Sequence, residues 1–222
     1  MVAKSTPPVM IISTNRWKYN GLVMALGKQA KVLSKKQIDQ LLWYVGTLRR
    51  PLRNEVIVML SVRAGLRAKE IASLTWAMVT DADGNISDRI HLTDKASKGR
   101  SGRIIPLNMK LRQKLEDLLD EAKQTRKFDI ATAHVVTTER AAKTSAQTIV
   151  NMFASWYTDV GLLGCSSHSG RRTFITNAAR NISTVGGSLR DVQMLAGHSS
   201  LAVTQRYIEG DKAARAKIVE II

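Results

Sequence analysis

Residues 195–207, LAGHSSLAVTQRY, and residues 166–174, SSHSGRRTF, decide how this chain is read. The first holds His198 nine residues before Tyr207, with Thr204 three before it. The second holds His168 three residues before Arg171. Phe174, Ile175, Ala178 and Ala179 recur at helical spacing, which puts Arg171 near the start of a helix. Ser200 reads as the cap of a further helix running through Tyr207. Far upstream, GLRAKE at 65–70 supplies Arg67, with Glu70 three residues on.

Arginines, histidines and a tyrosine are what breaking a phosphodiester without a metal requires. An arginine fork donates paired hydrogen bonds to phosphate oxygens and does not titrate. A tyrosine hydroxyl can attack phosphorus and become covalently linked to it. Its ordinary pKa of about 10 calls for a proton acceptor or a strongly positive setting. Histidine accepts protons near neutral pH. A lysine crowded by positive charge can protonate the departing oxygen.

Composition points the same way. The 222 residues include 34 Lys and Arg against 18 Asp and Glu, a formal charge of +16. That excess is more than solubility needs and fits a polyanionic partner. The 44% apolar content is ordinary for a globular domain. A single cysteine, Cys165, excludes an intrachain disulfide. With no dedicated base nearby, it reads as a small, partly buried residue rather than a nucleophile. No stretch reaches membrane-spanning length, and the N-terminus lacks a secretory pattern. The expectation is a soluble, cytoplasmic protein with no membrane association.

Residues 1–33 read as a basic arm. Up to Asn54 there are ten Lys and Arg and one acid, Asp39. Ser34 with Gln37 forms a capping box, followed by the stripe Ile38, Leu41, Leu42 and Val45. Pro51 and Gly65 bracket a second helix that buries Val56, Ile57 and Leu60. Ala68 to Leu74 reads as a third, with Arg67 at its entrance. Asp81 to Gly84 is turn chemistry. Arg89–Leu92 and Arg103–Leu107 read as the strands of a hairpin around the basic turn Lys95 to Gly102. Asn108 opens a helix to about Lys123. Thr144 with Gln147 predicts another cap, before Ile149, Val150, Phe153 and Trp156. Ser188 with Asp191 starts a further helix, and Ala213 to Ile222 forms a last one. The fold class is therefore mainly α with a small antiparallel β element, α+β.

Together these boxes make the chain resemble the catalytic domain of the tyrosine recombinases, the phage-integrase family, from about Ser34 to Gly210. Arg67 and Glu70 match the family's first arginine and its usual acidic companion. His168 and Arg171 match the His-x-x-Arg box, and His198 and Tyr207 the closing box. KGRSGRIIPL, 98–107, resembles the family hairpin, whose catalytic lysine maps onto Lys98, with Lys95 as the alternative. Gly170 departs from a common leucine, and Arg172 from a common histidine.

The resemblance implies a DNA breaking-rejoining fold and site-specific recombination on double-stranded DNA. Tyr207 would be the nucleophile, forming a 3′-phosphotyrosyl bond. Arg67, Arg171 and His198 would bind the phosphate, His168 would handle the tyrosine proton, and Lys98 would protonate the leaving 5′-hydroxyl. Glu70 would support them, and Lys95, Arg100, Arg103 and Arg172 would contact DNA. No metal, ATP or other cofactor is implied. Residues 34–210 would be the catalytic domain. Residues 211–222 would dock either on their own domain or, as the family reading has it, on a neighbouring protomer in a homo-tetrameric synapse, the chain being a monomer when free. The family usually carries a separate DNA-clamping domain before the catalytic one. Residues 1–33 are too few for it, so the expectation is either a fragment or a compact form that relies on its basic arm.

Other readings stay open. A type IB topoisomerase shares the chemistry, and a DNA-binding relative without turnover shares the charge. Taken singly, Arg67 and Glu70 also read as a helix-end ion pair, each histidine as structural, and Tyr207 as a half-buried core residue.

Overall fold

The computed structural model describes residues 29–97, 101–124, 128–139 and 141–208. Helix α1 (Lys35–Gly46) starts at the expected capping box: the Ser34 hydroxyl accepts from the Gln37 N–H, and the Gln37 side chain accepts from the Ser34 N–H. Its stripe buries Ile38, Leu41 and Val45, with Leu42 partly covered. Helix α2 (Pro51–Arg63) carries proline in its first turn, where no helical N–H is lost. Every residue from Val56 to Val62 is buried. A helix apolar all round belongs in the middle of a core. Accordingly, α1, α3 (Ala68–Ser73), α4 (Met109–Lys123) and α6 (Ser169–Asn181) all pack against it.

Helix α5 (Ala146–Asp159) completes the main core against α1 and α3, with Phe153 stacked on Tyr157 at 5.8 Å between ring centroids. Its cap differs from the expected Thr144. Ser145 is the cap and its hydroxyl accepts from Thr148, while Thr144 is buried. Ser and Thr cap by the same chemistry, so adjacent candidates are separated only by which side chain the core covers.

Strands β1 (Arg89–Leu92) and β2 (Arg103–Pro106) pair antiparallel, as expected for the hairpin. Ile90 faces Ile105 and Leu92 faces Arg103 on the inner side. Residues i and i+2 of a strand share a face. Arg103 therefore enters the interior beside Ile105, and its side chain is only 6% exposed. Short 3₁₀ turns at Trp76–Met78 and Ile182–Val185, and a bridge between Thr75 and His134, carried no distinct sequence signal.

A second, smaller cluster joins α6 to α7 (Leu189–Ala196) and α8 (Leu201–Gln205). Ile175, Val192 and Ala196 are buried there, and Tyr207 packs against them. The Ser188–Asp191 capping box opens α7 as expected. Helix α8 ends at Gln205, so Tyr207 lies in the turn just beyond it rather than inside the helix. Lys98, Arg100, most of the basic arm and the tail 211–222 lie outside the described residues. Among the described residues, no helix is long and apolar enough to cross a membrane.

Candidate active site

The site grows from the C-terminal end of α7. The last carbonyls of any helix lack intrahelical partners and carry the negative end of its dipole. Here two arginines occupy them. Arg103 Nε donates to Leu195 O at 2.8 Å, and Arg171 Nη2 donates to Ala196 O at 2.5 Å. Gly197 closes the helix with a left-handed φ of 61°, and its N–H and that of His198 turn back to carbonyls of α7. His198 thus follows directly from a terminus that holds two guanidiniums.

Arg171 reaches this point from the first turn of α6 and is buried. Its Nη1 donates to Gly65 O at 2.6 Å. Gly65 has φ 65°, and a Cβ there would meet Phe174 Cδ1 at 2.4 Å, so only glycine fits. Burial, then the Arg67 charge, lowers the Arg171 guanidinium from its ordinary value, with Glu70 opposing.

Glu70, fully buried, organises the positive groups. Arg67 begins α3, and both its N–H and its Nη1 donate to the Glu70 carboxylate at 2.8 Å. Arg103 adds bonds of 3.0 and 3.1 Å to the two carboxylate oxygens. Burial alone would push the Glu70 carboxyl up. Hydrogen bonds and charge from Arg103, then from Arg67, outweigh it and hold the carboxyl below its ordinary value. The helix-end ion pair of the local reading is therefore real, and it is one edge of a larger cluster. The donors of Arg103 serve the interior.

The tyrosine stands on the opposite side. The His198 and Tyr207 rings stack at 5.4 Å, and the Arg172 guanidinium lies 5.5 Å from the Tyr207 ring centre. A cation over an aromatic face is attracted by the ring quadrupole. His198 Nδ1 lies 2.9 Å from Thr204 Oγ1, and Gln193 Nε2 donates to His198 O at 3.0 Å. Burial first, then Arg171, Arg67 and Arg103, pushes the His198 imidazole down to about 4. It is therefore neutral at neutral pH and offers a single ring N–H. His168 is exposed at the N-terminal entrance of α6, one turn before Arg171 and Arg172.

Arg67, Arg103, Arg190, Gln193 and His198 line an open cavity of about 820 Å³. Another cavity, about 630 Å³, opens beside Arg50, Trp76 and Phe128 and contains none of the motif residues. Lys95 is exposed in the hairpin turn. The turn is tied down on both sides of the undescribed residues: Lys69 Nζ donates to Ser97 O at 2.9 Å, and Gly102 N donates to Asp94 Oδ1 at 2.8 Å. Sequence reasoning missed the partners that assemble the site, namely the α7 carbonyls, Gln193 and the inward turn of Arg103. The alternation of Arg103 with Ile105 was the one available signal for the last of these.

The phage integrase family model matches residues 31–214. The chain belongs to this family. Among its curated relatives, the tyrosine recombinase XerD of Oceanobacillus iheyensis is 28% identical over 193 residues, covering 84% of this chain and 60% of that protein. The tyrosine recombinase XerC of a Roseiflexus species is 26% identical over 197 residues, 85% of this chain and 58% of that one. The chain thus spans about three-fifths of the length of these curated relatives. Of solved structures, XerA recombinase superposes with a TM-score of 0.68 at 22% identity, covering 86% of this chain and 64% of its own. The Tn1549 transposon integrase, in complex with a circular intermediate DNA, gives 0.67 at 18%, covering 87% and 66%. These likenesses show the tyrosine-recombinase catalytic-domain fold. For this phage-integrase chain, the matched range contains Arg67, His168, Arg171, His198 and Tyr207.

Proposed function

We propose that this chain is the catalytic part of a site-specific DNA recombinase that cuts and rejoins strands through a 3′-phosphotyrosyl intermediate. The observation that carries this reading is the convergence of Arg67, Arg171, His198 and Tyr207 around one helix terminus, from segments far apart in the chain. The relatives are named recombinases and integrases, which supports the same assignment.

Tyr207 Oη attacks the scissile phosphorus as His168 accepts its proton. The bond to the 5′-oxygen breaks, and Lys98 supplies that oxygen with a proton. Arg67 and Arg171 hold the non-bridging oxygens, and neutral His198 donates its one ring N–H to them. Charge stabilisation dominates, with each donor worth roughly 3–4 kcal/mol by analogy with oxyanion donors. The phosphotyrosyl bond keeps the energy of the broken ester, so a new 5′-hydroxyl reverses the step without ATP. Arg172 serves both the Tyr207 ring and the nearby backbone phosphates.

Double-stranded DNA is the substrate, and the +16 charge suits it. Residues 1–33 add phosphate contacts. The apolar end Ile218, Val219, Ile221 and Ile222 docks on a neighbouring protomer in a tetrameric synapse. A nicked suicide substrate built on inverted repeats flanking the gene tests the chemistry. The wild type should form a covalent adduct, and no adduct on any candidate site rejects the assignment. Relaxation of supercoiled plasmid lacking such a site would favour the topoisomerase reading. Deleting residues 211–222 should cut recombination and spare single-site cleavage; equal loss of both rejects the synaptic role.

A further inference from the structure

A neutral imidazole carries one proton, and the nitrogen that holds it decides whether the ring can serve a phosphate. Phosphate oxygens only accept hydrogen bonds, so a histidine that binds them must present N–H. His198 Nδ1 is turned to Thr204 Oγ1 at 2.9 Å, which leaves Nε2 as the nitrogen available to the cavity. We propose that Thr204 is a positioning residue: its hydroxyl donates to His198 Nδ1 and so fixes the proton on Nε2. This proposal rests on the reading of His198 as a phosphate donor.

The direction of that bond follows from where the hydroxyl hydrogen can go. Thr204 is fully buried, so water does not take it. Threonines inside helices commonly donate to the carbonyl four residues back. Thr158 and Thr173 do so here, to Ala154 O and Ser169 O. Thr204 does not, and among the described residues its hydroxyl has His198 Nδ1 as its one partner. A buried O–H with no acceptor is costly. If Nδ1 carried the proton, the Thr204 hydrogen would have no acceptor; if Nε2 carries it, both groups are satisfied. The branched side chain is stiff at χ1, so the hydroxyl is held in place. The Tyr207 N–H also bonds to Thr204 O at 3.0 Å, so one residue sets both the histidine proton and the start of the tyrosine turn.

The histidine tautomer is read directly by long-range ¹⁵N–¹H correlation spectra of the ¹⁵N-histidine protein at pH 7, with His198→Gln used for assignment. Wild type and Thr204→Ser should show protonated Nε2 and unprotonated Nδ1 for His198. Thr204→Val should show a mixture. Protonated Nδ1 in the wild type, or an unchanged tautomer in the valine variant, overturns the proposal. On the suicide substrate, Thr204→Val should form adduct roughly tenfold more slowly at unchanged DNA affinity, as when an orienting partner is lost. Thr204→Ser should restore the rate; a valine variant as fast as wild type overturns the catalytic consequence. Wild-type cleavage by His198→Ala would instead refute the phosphate role of His198 and leave the spectra to decide the tautomer.

Discussion

The two sides of the site are held in opposite ways. On the arginine side, Glu70 is fully buried, Arg103 is nearly so, and Arg171 is pinned between two backbone carbonyls. These groups sit on α3, β2 and α6; α3 and β2 belong to the main core, and α6 packs on its central helix α2. On the tyrosine side, α8 has five residues, Leu201–Gln205, and only Thr204 among them is buried. Tyr207 is partly exposed and is held by ring contacts to His198 and Arg172. Directional, charge-assisted bonds to buried acceptors fix geometry far better than stacking on a short helix. In the proposed mechanism the phosphate clamp is thus preassembled, and the nucleophile follows a short, weakly buried helix. That difference suits a reaction in which the tyrosine must approach the phosphate, stay bonded to it and then release it.

The sharpest break between the two sides is Tyr207→Phe. It removes one hydroxyl from the loosely held side and leaves the clamp intact. Covalent adduct should vanish, while DNA binding and thermal stability stay at wild-type values. A residual adduct at wild-type yield would assign the nucleophile elsewhere.

Removing the anchor of the other side is next. Glu70→Ala leaves Arg67, Arg103 and Arg171 crowded without their carboxylate. Breaking a buried pair by deleting one partner costs about 3–5 kcal/mol, so the denaturant midpoint should fall steeply. The pH dependence has a definite sign. The folded Glu70 carboxyl lies below its unfolded value of about 4.3. Its stabilisation is therefore fully present above that pH and is lost as pH falls toward the folded value. Glu70→Gln should flatten the acid limb of a Tm-versus-pH curve.

A smaller loss is expected at the packing of α6 on α2. A Cβ on Gly170 would lie 2.3 Å from Ser61 Oγ and 3.0 Å from Val62 Cγ1. The common leucine at this position therefore cannot enter unless Ser61 yields. Gly170→Leu should destabilise by about 1–3 kcal/mol as overpacking. Pairing it with Ser61→Gly should recover part of that in chemical denaturation. Full tolerance of the leucine would mean that α6, and Arg171 with it, is less rigidly seated than the contacts require.

The mildest test concerns the shared histidine. His198 should titrate near pH 4 by NMR, because burial and then Arg171, Arg67 and Arg103 disfavour its cation. The unfolded residue titrates near 6.5. Between these values the unfolded chain binds more protons, so the His198 contribution to stability declines as pH falls from about 6.5 toward 4. Arg67→Gln should raise the midpoint. A midpoint near 6.5 in the wild type would show that the clamp does not reach the tyrosine side.

Much of this was legible locally. Capping boxes at Ser34 and Ser188 and the proline at 51 act within one helical turn, so their residues alone place those helix starts. The hairpin strands were legible through alternation, and the order of the boxes announced the family. Local rules failed where burial arbitrates. Thr144 and Ser145 are chemically equivalent caps, and the core chose between them by covering Thr144. The helix signal running through Tyr207 ended early, at Gln205. The bonds of Arg103 to Glu70 and to Leu195 O had no local signal, because nothing next to it in sequence reveals a buried carboxylate from another helix.

The sequence by itself determined the elements, the charge and the reactive residue types, because these depend on spacing within a turn or on composition. Only the tertiary structure decided which groups share an anion, which carbonyls at the end of α7 receive Arg103 and Arg171, and that Thr204 faces the ring of His198. Those pairings join residues up to about a hundred positions apart in the chain. They form because buried donors and acceptors must find partners across the fold, a demand that no local pattern records.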